Sequence, residues 1–154
     1  MQKEWFQFES TDNDENLSHR SQNEELAFYH AVSSGDINTV RKNCEQQRFM
    51  DTEGVGILSR DPVTNLKYHF VITTAMITRF CVSAGMEMEQ AYRLSDFYIL
   101  KLDLLHTIEE VSNLHDRMVL DFTGKMRLLQ NGGGTSKLIN TCIEYIYVHI
   151  NLLK

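Results

Sequence analysis

Two polar side chains that could bind a ligand, His69 and Arg79, lie in the most apolar stretch of the chain. A cation that is buried without a partner is strongly destabilising. Arg79 must therefore reach solvent, pair with a carboxylate such as Asp96 or Asp103, or line a cavity. The pattern predicts either an internal salt bridge or a small-molecule site. The residues of that site would be Tyr68, His69, Arg79 and Asp96.

The other residues that commonly do chemistry are not arranged for it in the sequence. The six histidines include no pair at i, i+4 spacing, which would present two imidazoles to a metal ion on one helix face. There is no CxxC motif, no GxSxG motif and no phosphate-binding glycine loop. Cys44, Cys81 and Cys142 stand far apart among apolar residues, as is typical of buried free thiols in a reducing compartment. We therefore expect no metal, no cofactor and no enzymatic activity.

Length and composition are those of a protein with one main folded domain. The chain has 154 residues, of which 42% are hydrophobic and 23% are charged, as in an ordinary globular protein. The formal net charge is −6. This charge disfavours nucleic-acid binding by the chain itself, because binding to phosphates needs a basic surface. The sequence contains no signal peptide and no membrane-spanning run, so we expect a cytoplasmic protein without a membrane partner.

The stretch that carries His69 and Arg79 begins and ends with strong helix signals. Asp61 is a good N-cap, Pro62 suits the first helical position, and Gly85 suits a left-handed residue after the last turn. Between them the apolar residues run almost all the way round the helix, with Tyr68 and Ile72 on the side opposite Phe70. This pattern is typical of a helix with neighbours on most sides. It predicts a buried central helix over about residues 62–84.

Further helices are predicted on both sides of the central one. Their ranges are 23–33, a short helix after Asp36, 87–106, and a long helix that begins after Thr107 and extends to about residue 129. The first two form a hairpin with a tight turn at residues 34–35, and Thr107 with Glu110 forms a capping box. The elements predict an all-α fold. It is a bundle of about five to six helices around the central helix, with a tethered C-terminal helix.

The long helix after Thr107 carries a sustained apolar stripe with a 3.6-residue period. Such a stripe either pairs with a second copy of the chain or packs against the central helix of the same chain. The first alternative predicts a homodimer. Its interface residues would be Val111, Leu114, Met118 and Phe122.

The two ends of the chain differ from its middle. Residues 1–20 contain three aromatics and then almost no apolar residues, so we expect a mobile N-terminal arm. Residues 21–130 form the predicted helical domain, and residues 131–135, with three consecutive glycines, predict a linker. Residues 136–154 predict one more helix. A single helix is not a domain, so we expect this one to open a second domain that has been cut off.

Six short motifs lie on the predicted helices and their caps. They are LSRDP at 58–62, LKYHF at 66–70, RFC at 79–81, AYRLSDFYI at 91–99, HDRMV at 115–119 and DFT at 121–123. Together they resemble the helical regulatory region of a subgroup of AraC/XylS-type bacterial transcriptional regulators. Residues 25–36 are similar to the hairpin that precedes this region, and residues 139–149 resemble the first helix of the AraC-type DNA-binding domain.

This resemblance implies a DNA-binding transcriptional regulator. Its N-terminal part would sense an effector or dimerise, and its C-terminal helix-turn-helix units would bind promoter DNA. Neither recognition helix is in this chain, so DNA would be bound only through the missing domain. The implied partners are a second copy of the chain and a small-molecule effector. The alternative is a stand-alone helical module that binds a small molecule or another protein.

Overall fold

The computed structural model of the chain describes residues 1–12, 20–51 and 54–132. These ranges contain six helices: α1 (Gln2–Asp12), α2 (Gln22–Ser33), α3 (Ile37–Glu45), α4 (Pro62–Ser83), α5 (Met88–Leu102) and α6 (Ile108–Asn131). They contain no β-strand, so the predicted all-α fold is confirmed. The predicted linker and C-terminal helix fall mostly on residues 133–154, which lie outside the described ranges.

The predicted central helix is α4, and its two ends form as the sequence indicates. The Asp61 carboxylate accepts a hydrogen bond from the Thr64 N–H at 2.8 Å, and Pro62 occupies the first turn. At the other end Gly85 has a φ of +107°. The N–H groups of Gly85 and Met86 donate back to the carbonyls of Val82 and Cys81, which is the Schellman pattern that satisfies the last carbonyls of a helix.

Helices α4 and α6 form the centre of the bundle. α2 and α5 each pack against both of them, and α3 packs against α2 and α6. Fully buried side chains from four of these helices form the core: Val32, Val40, Phe70, Ile77, Met118 and Phe122. Burying a side chain of this kind stabilises a fold by about 1.5–3 kcal/mol. The core therefore depends on contacts between helices that are far apart in the sequence.

The predicted hairpin of α2 and α3 is confirmed, and its turn requires glycine. Gly35 has a φ of +71°, a left-handed conformation that residues with a Cβ rarely adopt. A Cβ at this position would lie 2.6 Å from Arg127 Cα and 2.7 Å from Arg127 N. Gln130 also donates a hydrogen bond to the Ser33 carbonyl at 3.2 Å. The turn is thus packed directly on the backbone of α6.

The connection between α5 and α6 is longer than predicted. α5 ends at Leu102, not near residue 106. The Glu110 carboxylate accepts hydrogen bonds from the backbone N–H groups of His106 and Thr107 at 2.9 and 3.0 Å, and the Thr107 hydroxyl accepts one from the Glu110 N–H. The predicted capping box is confirmed. The capping box of α6 uses the backbone of residues 106 and 107, so these residues do not continue α5. Residues 103–107 form the connection between the two helices.

The N-terminal segment, which the sequence predicted to be a mobile arm, contains α1. The side chains of residues 1–10 are exposed, and the rings of Trp5 and Phe8 stack with centroids 6.1 Å apart. α1 packs against none of the other five described helices. The bundle proper is therefore α2–α6.

One side of α4 faces outward. Tyr68, Val71 and Ile72 are exposed there, whereas α2, α5 and α6 cover the other sides. The prediction that α4 lies at the centre is confirmed. The expectation that Tyr68 and Ile72 are buried is wrong, because none of the described helices packs on that side.

Candidate functional site

The four residues predicted to form a small-molecule site have separate environments. His69 Nε2 donates a hydrogen bond to the Gly56 carbonyl at 2.8 Å and so fastens the segment before α4. The exposed Arg79 guanidinium donates to the Ala75 carbonyl of its own helix at 3.0 Å. Tyr68 and Asp96 are exposed on α4 and α5. Of the three alternatives predicted for Arg79, namely solvent, a carboxylate partner or a cavity, the structure shows the side chain in solvent.

The four residues predicted to form a dimer interface lie in or beside the core. Val111, Met118 and Phe122 are fully buried within the single chain, and Leu114 is partly buried against them. These side chains pack where α6 meets the rest of the bundle, α4 above all. This is the alternative in which the stripe packs against the central helix. A second copy cannot contact the buried residues while the bundle is closed, so a dimer surface must lie elsewhere.

A buried imidazole that the sequence analysis did not single out lies between α6 and the segment after α3. The His115 ring stacks flat on Phe49, with centroids 3.7 Å apart and planes 4° from parallel. Its Nδ1 is 3.2 Å from a carboxylate oxygen of Asp116. Burial lowers the pKa of His115, and the contact with Asp116 offsets part of this effect. The neutral ring therefore acts as a packing surface. In the sequence, His115 lies four residues after Val111 and three before Met118, and this spacing places it on the buried stripe.

The two cysteines in the described ranges, Cys44 and Cys81, are free. Burial raises the pKa of each thiol to about 12, and the Asp116 carboxylate contributes further to the increase at Cys44. Such thiols stay protonated at neutral pH and are poor nucleophiles. No three His, Cys, Asp or Glu side chains among the described residues are grouped so that they could hold a metal ion. The predicted free thiol at Cys142 lies outside the described ranges.

Large apolar side chains are exposed on the outer sides of two neighbouring helices, α4 and α5. We call this the α4–α5 surface, and it consists of Tyr68, Val71, Ile72, Tyr92, Phe97 and Leu100, with Leu104 in the turn after α5. Charged groups of both signs accompany it. Arg79 and Asp96 are exposed on the same helices, and Lys101 Nζ lies 4.9 Å from the centre of the Phe97 ring. Exposed apolar side chains are typical of a protein–protein contact where they form a continuous patch.

In comparisons with known proteins, no protein-family model, no curated protein and no solved structure matches the chain. A functional assignment must therefore come from the sequence motifs and the surfaces of the bundle. Of the helices in residues 1–12, 20–51 and 54–132, none is both long enough and apolar enough to cross a membrane.

Proposed function

We propose that the bundle is the dimerising regulatory region of a DNA-binding transcriptional regulator of the AraC/XylS type. In this role it brings two chains together, and a separate C-terminal domain binds promoter DNA. The motifs LSRDP, AYRLSDFYI and DFT support the family assignment. The net charge of −6 supports a division of labour in which this region does not contact DNA phosphates.

The observation that carries the proposal is the exposed apolar surface on a bundle whose core is already filled. Phe70, Met118 and Phe122 are fully buried, whereas Ile72 and Leu100 remain exposed. Removing apolar area from water is favourable by about 25 cal/mol per Å², so association with another protein surface would stabilise the module. The exposed charges of both signs suit a second copy of the same chain, since a twofold interface must be complementary to itself.

The proposed function does not depend on a small-molecule effector at the predicted site. His69 is engaged by the Gly56 carbonyl, and Arg79 is exposed beside its own helix. Tyr68 belongs to the α4–α5 surface. The residues that the sequence grouped as a ligand site therefore have structural and surface roles in this account.

A reporter fusion tests the proposal. The full 154-residue chain is joined to a DNA-binding domain that represses its operator only as a dimer. We expect the fusion to repress the reporter and the domain alone to leave it expressed, because self-association of the bundle supplies the missing dimer contact. Absence of repression by a fusion that accumulates to the same level as the domain alone would contradict the proposal.

A further inference from the structure

Helix α1 presents three aromatic side chains that have no neighbour in the bundle. Trp5, Phe6 and Phe8 are each more than half exposed, and α1 packs against none of the other described helices. An aromatic side chain can bury about 150–250 Å², and removing apolar area from water is favourable. A segment of this kind is therefore suited to binding an apolar surface outside its own bundle.

The outward side of α4 is an apolar surface that none of the described helices covers. It consists of Tyr68, Val71 and Ile72, which are all exposed. Lys67 lies four residues before Val71, and Arg79 lies seven residues after Ile72, so both basic residues border the apolar ones on the helix surface. The sequence of α4 contains no Asp or Glu. The outward α4 side thus combines apolar area with positive charge.

The segment that carries the aromatic side chains has the opposite charge. Residues 1–15 contain five acidic residues and one lysine. On α1, Glu4 lies four residues before Phe8, and Glu9 lies four residues after Trp5. The two carboxylates therefore border the stacked rings of Trp5 and Phe8. Aromatic surface edged with negative charge complements the outward α4 side, which is apolar and edged with positive charge.

The base of the N-terminal segment lies close to α4. The Arg20 N–H donates to the Gly54 carbonyl at 2.9 Å, and the Gly56 carbonyl, two residues further on, accepts the hydrogen bond from His69 of α4. Seven residues join Asp12 to Arg20, and a chain of this length spans at most about 28 Å. Within one copy α1 does not cover α4, whereas a second copy beside the outward α4 side would be within its reach.

We propose that two copies of the chain exchange their N-terminal helices, so that α1 of each copy packs on the outward α4 side of the other. This inference rests on the proposed function, since it assumes that the module forms a homodimer, and it names the contact. The exchange is reciprocal, as a twofold dimer requires. Each copy supplies one aromatic segment and one apolar side, so the contact covers both of the surfaces that the single chain leaves exposed.

The fluorescence of Trp5 tests the exchange directly, because it is the only tryptophan in the chain. The indole is 59% exposed in the single chain and should emit at shorter wavelength once α4 of the other copy covers it. We expect the emission of the full chain to shift to shorter wavelength as the concentration rises, over the range in which sedimentation shows the mass to rise. A shift that is complete at the lowest concentration would show that α1 docks within its own copy and would contradict the exchange.

Substitutions on the two sides of the contact should have the same effect. Trp5→Ser and Ile72→Glu should each raise the dimer dissociation constant by about tenfold or more. The melting temperature at low protein concentration should stay close to that of the original protein, because both side chains are exposed in the single chain. Leu128→Glu introduces the same charge at an exposed leucine of α6. It is the matched control for Ile72→Glu and should leave the dissociation constant unchanged.

Salt tests the part that charge plays in the contact. Raising the ionic strength from about 0.05 to 0.5 M should weaken the dimer, because salt screens the attraction between the acidic segment and the basic residues of α4. Arg79→Glu should weaken the dimer at low salt and reduce its dependence on salt. A dissociation constant that neither salt nor Arg79→Glu changes would contradict the charge match that selects α1 as the occupant.

A mixture of two variants separates exchange between copies from docking within one copy. In a mixed dimer, the intact α1 of the Ile72→Glu copy meets the intact α4 of the Trp5→Ser copy. The remaining tryptophan should therefore shift to shorter wavelength in the mixture and not in Ile72→Glu alone. If the original chain dimerises while its tryptophan emission stays constant and the mixture shows no shift, the exchange is wrong and the dimer itself remains. If the original chain stays monomeric throughout, the proposed function fails along with the exchange.

Discussion

At the scale of single residues, two histidines hold the segment between α3 and α4 against the bundle. His69 donates to the Gly56 carbonyl, and His115 stacks on Phe49. His69 contributes a ring N–H as a hydrogen-bond donor, and His115 contributes a flat ring surface. Both side chains therefore stabilise this connection, and the burial of His115, which lowers its pKa, makes the fold sensitive to acid.

The free energy of unfolding should fall as the pH drops below about 6.5, the ordinary pKa of histidine. The folded state lowers the pKa of His115 because the ring is buried. Below pH 6.5 the unfolded chain thus binds this proton more readily than the folded chain, and the stability that is fully present above that pH is lost. His115 alone can contribute a slope of up to about 1.4 kcal/mol per pH unit.

Urea unfolding at several pH values between 5 and 8 measures this slope. His115→Phe keeps an aromatic ring against Phe49 and removes the titrating group, so its slope below pH 6.5 should be smaller than that of the original protein. His106→Gln, which replaces an exposed imidazole, is the matched control and should keep the original slope. Equal slopes for His115→Phe and the original protein would show that His115 does not cause the acid sensitivity.

At the scale of helices, contacts between ends and turns hold the bundle in register. The α2–α3 turn rests on the backbone of α6 at Arg127, and Gln130 donates to the Ser33 carbonyl. At the same end, the glycine that follows α4, Gly85, lies near Leu129 of α6. The C-terminal part of α6 is therefore fixed by two turns.

Gly35→Ala should lower the free energy of unfolding by about 3 kcal/mol. A left-handed conformation costs a residue with a Cβ roughly 1–2 kcal/mol, and the new Cβ would also displace the backbone of α6 at Arg127. Gly124→Ala is the same substitution on α6 itself, in open space, and should stabilise the fold by up to about 1 kcal/mol. Urea titrations at low protein concentration measure both, and a Gly35→Ala protein as stable as the original would contradict the close packing of the turn.

At the scale of the whole molecule, the capped helix ends could be predicted from the sequence, whereas α1, the end of α5 and the neighbours of each helix face could not. Where a helix end has a cap a few positions away, as Asp61 with Pro62 and Thr107 with Glu110, this local signal was sufficient. The end of α5 has no such signal, and the prediction placed it about four residues too late. The side that each helix turns to the core depends on distant residues. The apolar stripe of α6 could pack against a second copy of the chain or against α4, and its sequence does not decide between them. Tyr68 is apolar enough for a core, but no described helix packs over it.

The predicted ligand site was grouped by chemical type along one helix and not by proximity in the fold. Arg79 reaches solvent, and His69 bonds to a preceding segment that the periodicity does not describe. The stack of His115 on Phe49 joins two segments that are distant in sequence. Spacing alone shows that His115 is on the buried stripe and does not identify the ring that covers it.

The central claim is that this bundle is a dimerisation module, and its mass in solution tests that most directly. Sedimentation equilibrium of the full chain from about 1 to 200 μM covers dissociation constants in the micromolar range. We expect the average mass to rise with concentration from 17.9 kDa toward twice that value, because two copies of the bundle associate. A mass that stays at 17.9 kDa across the whole series would contradict it.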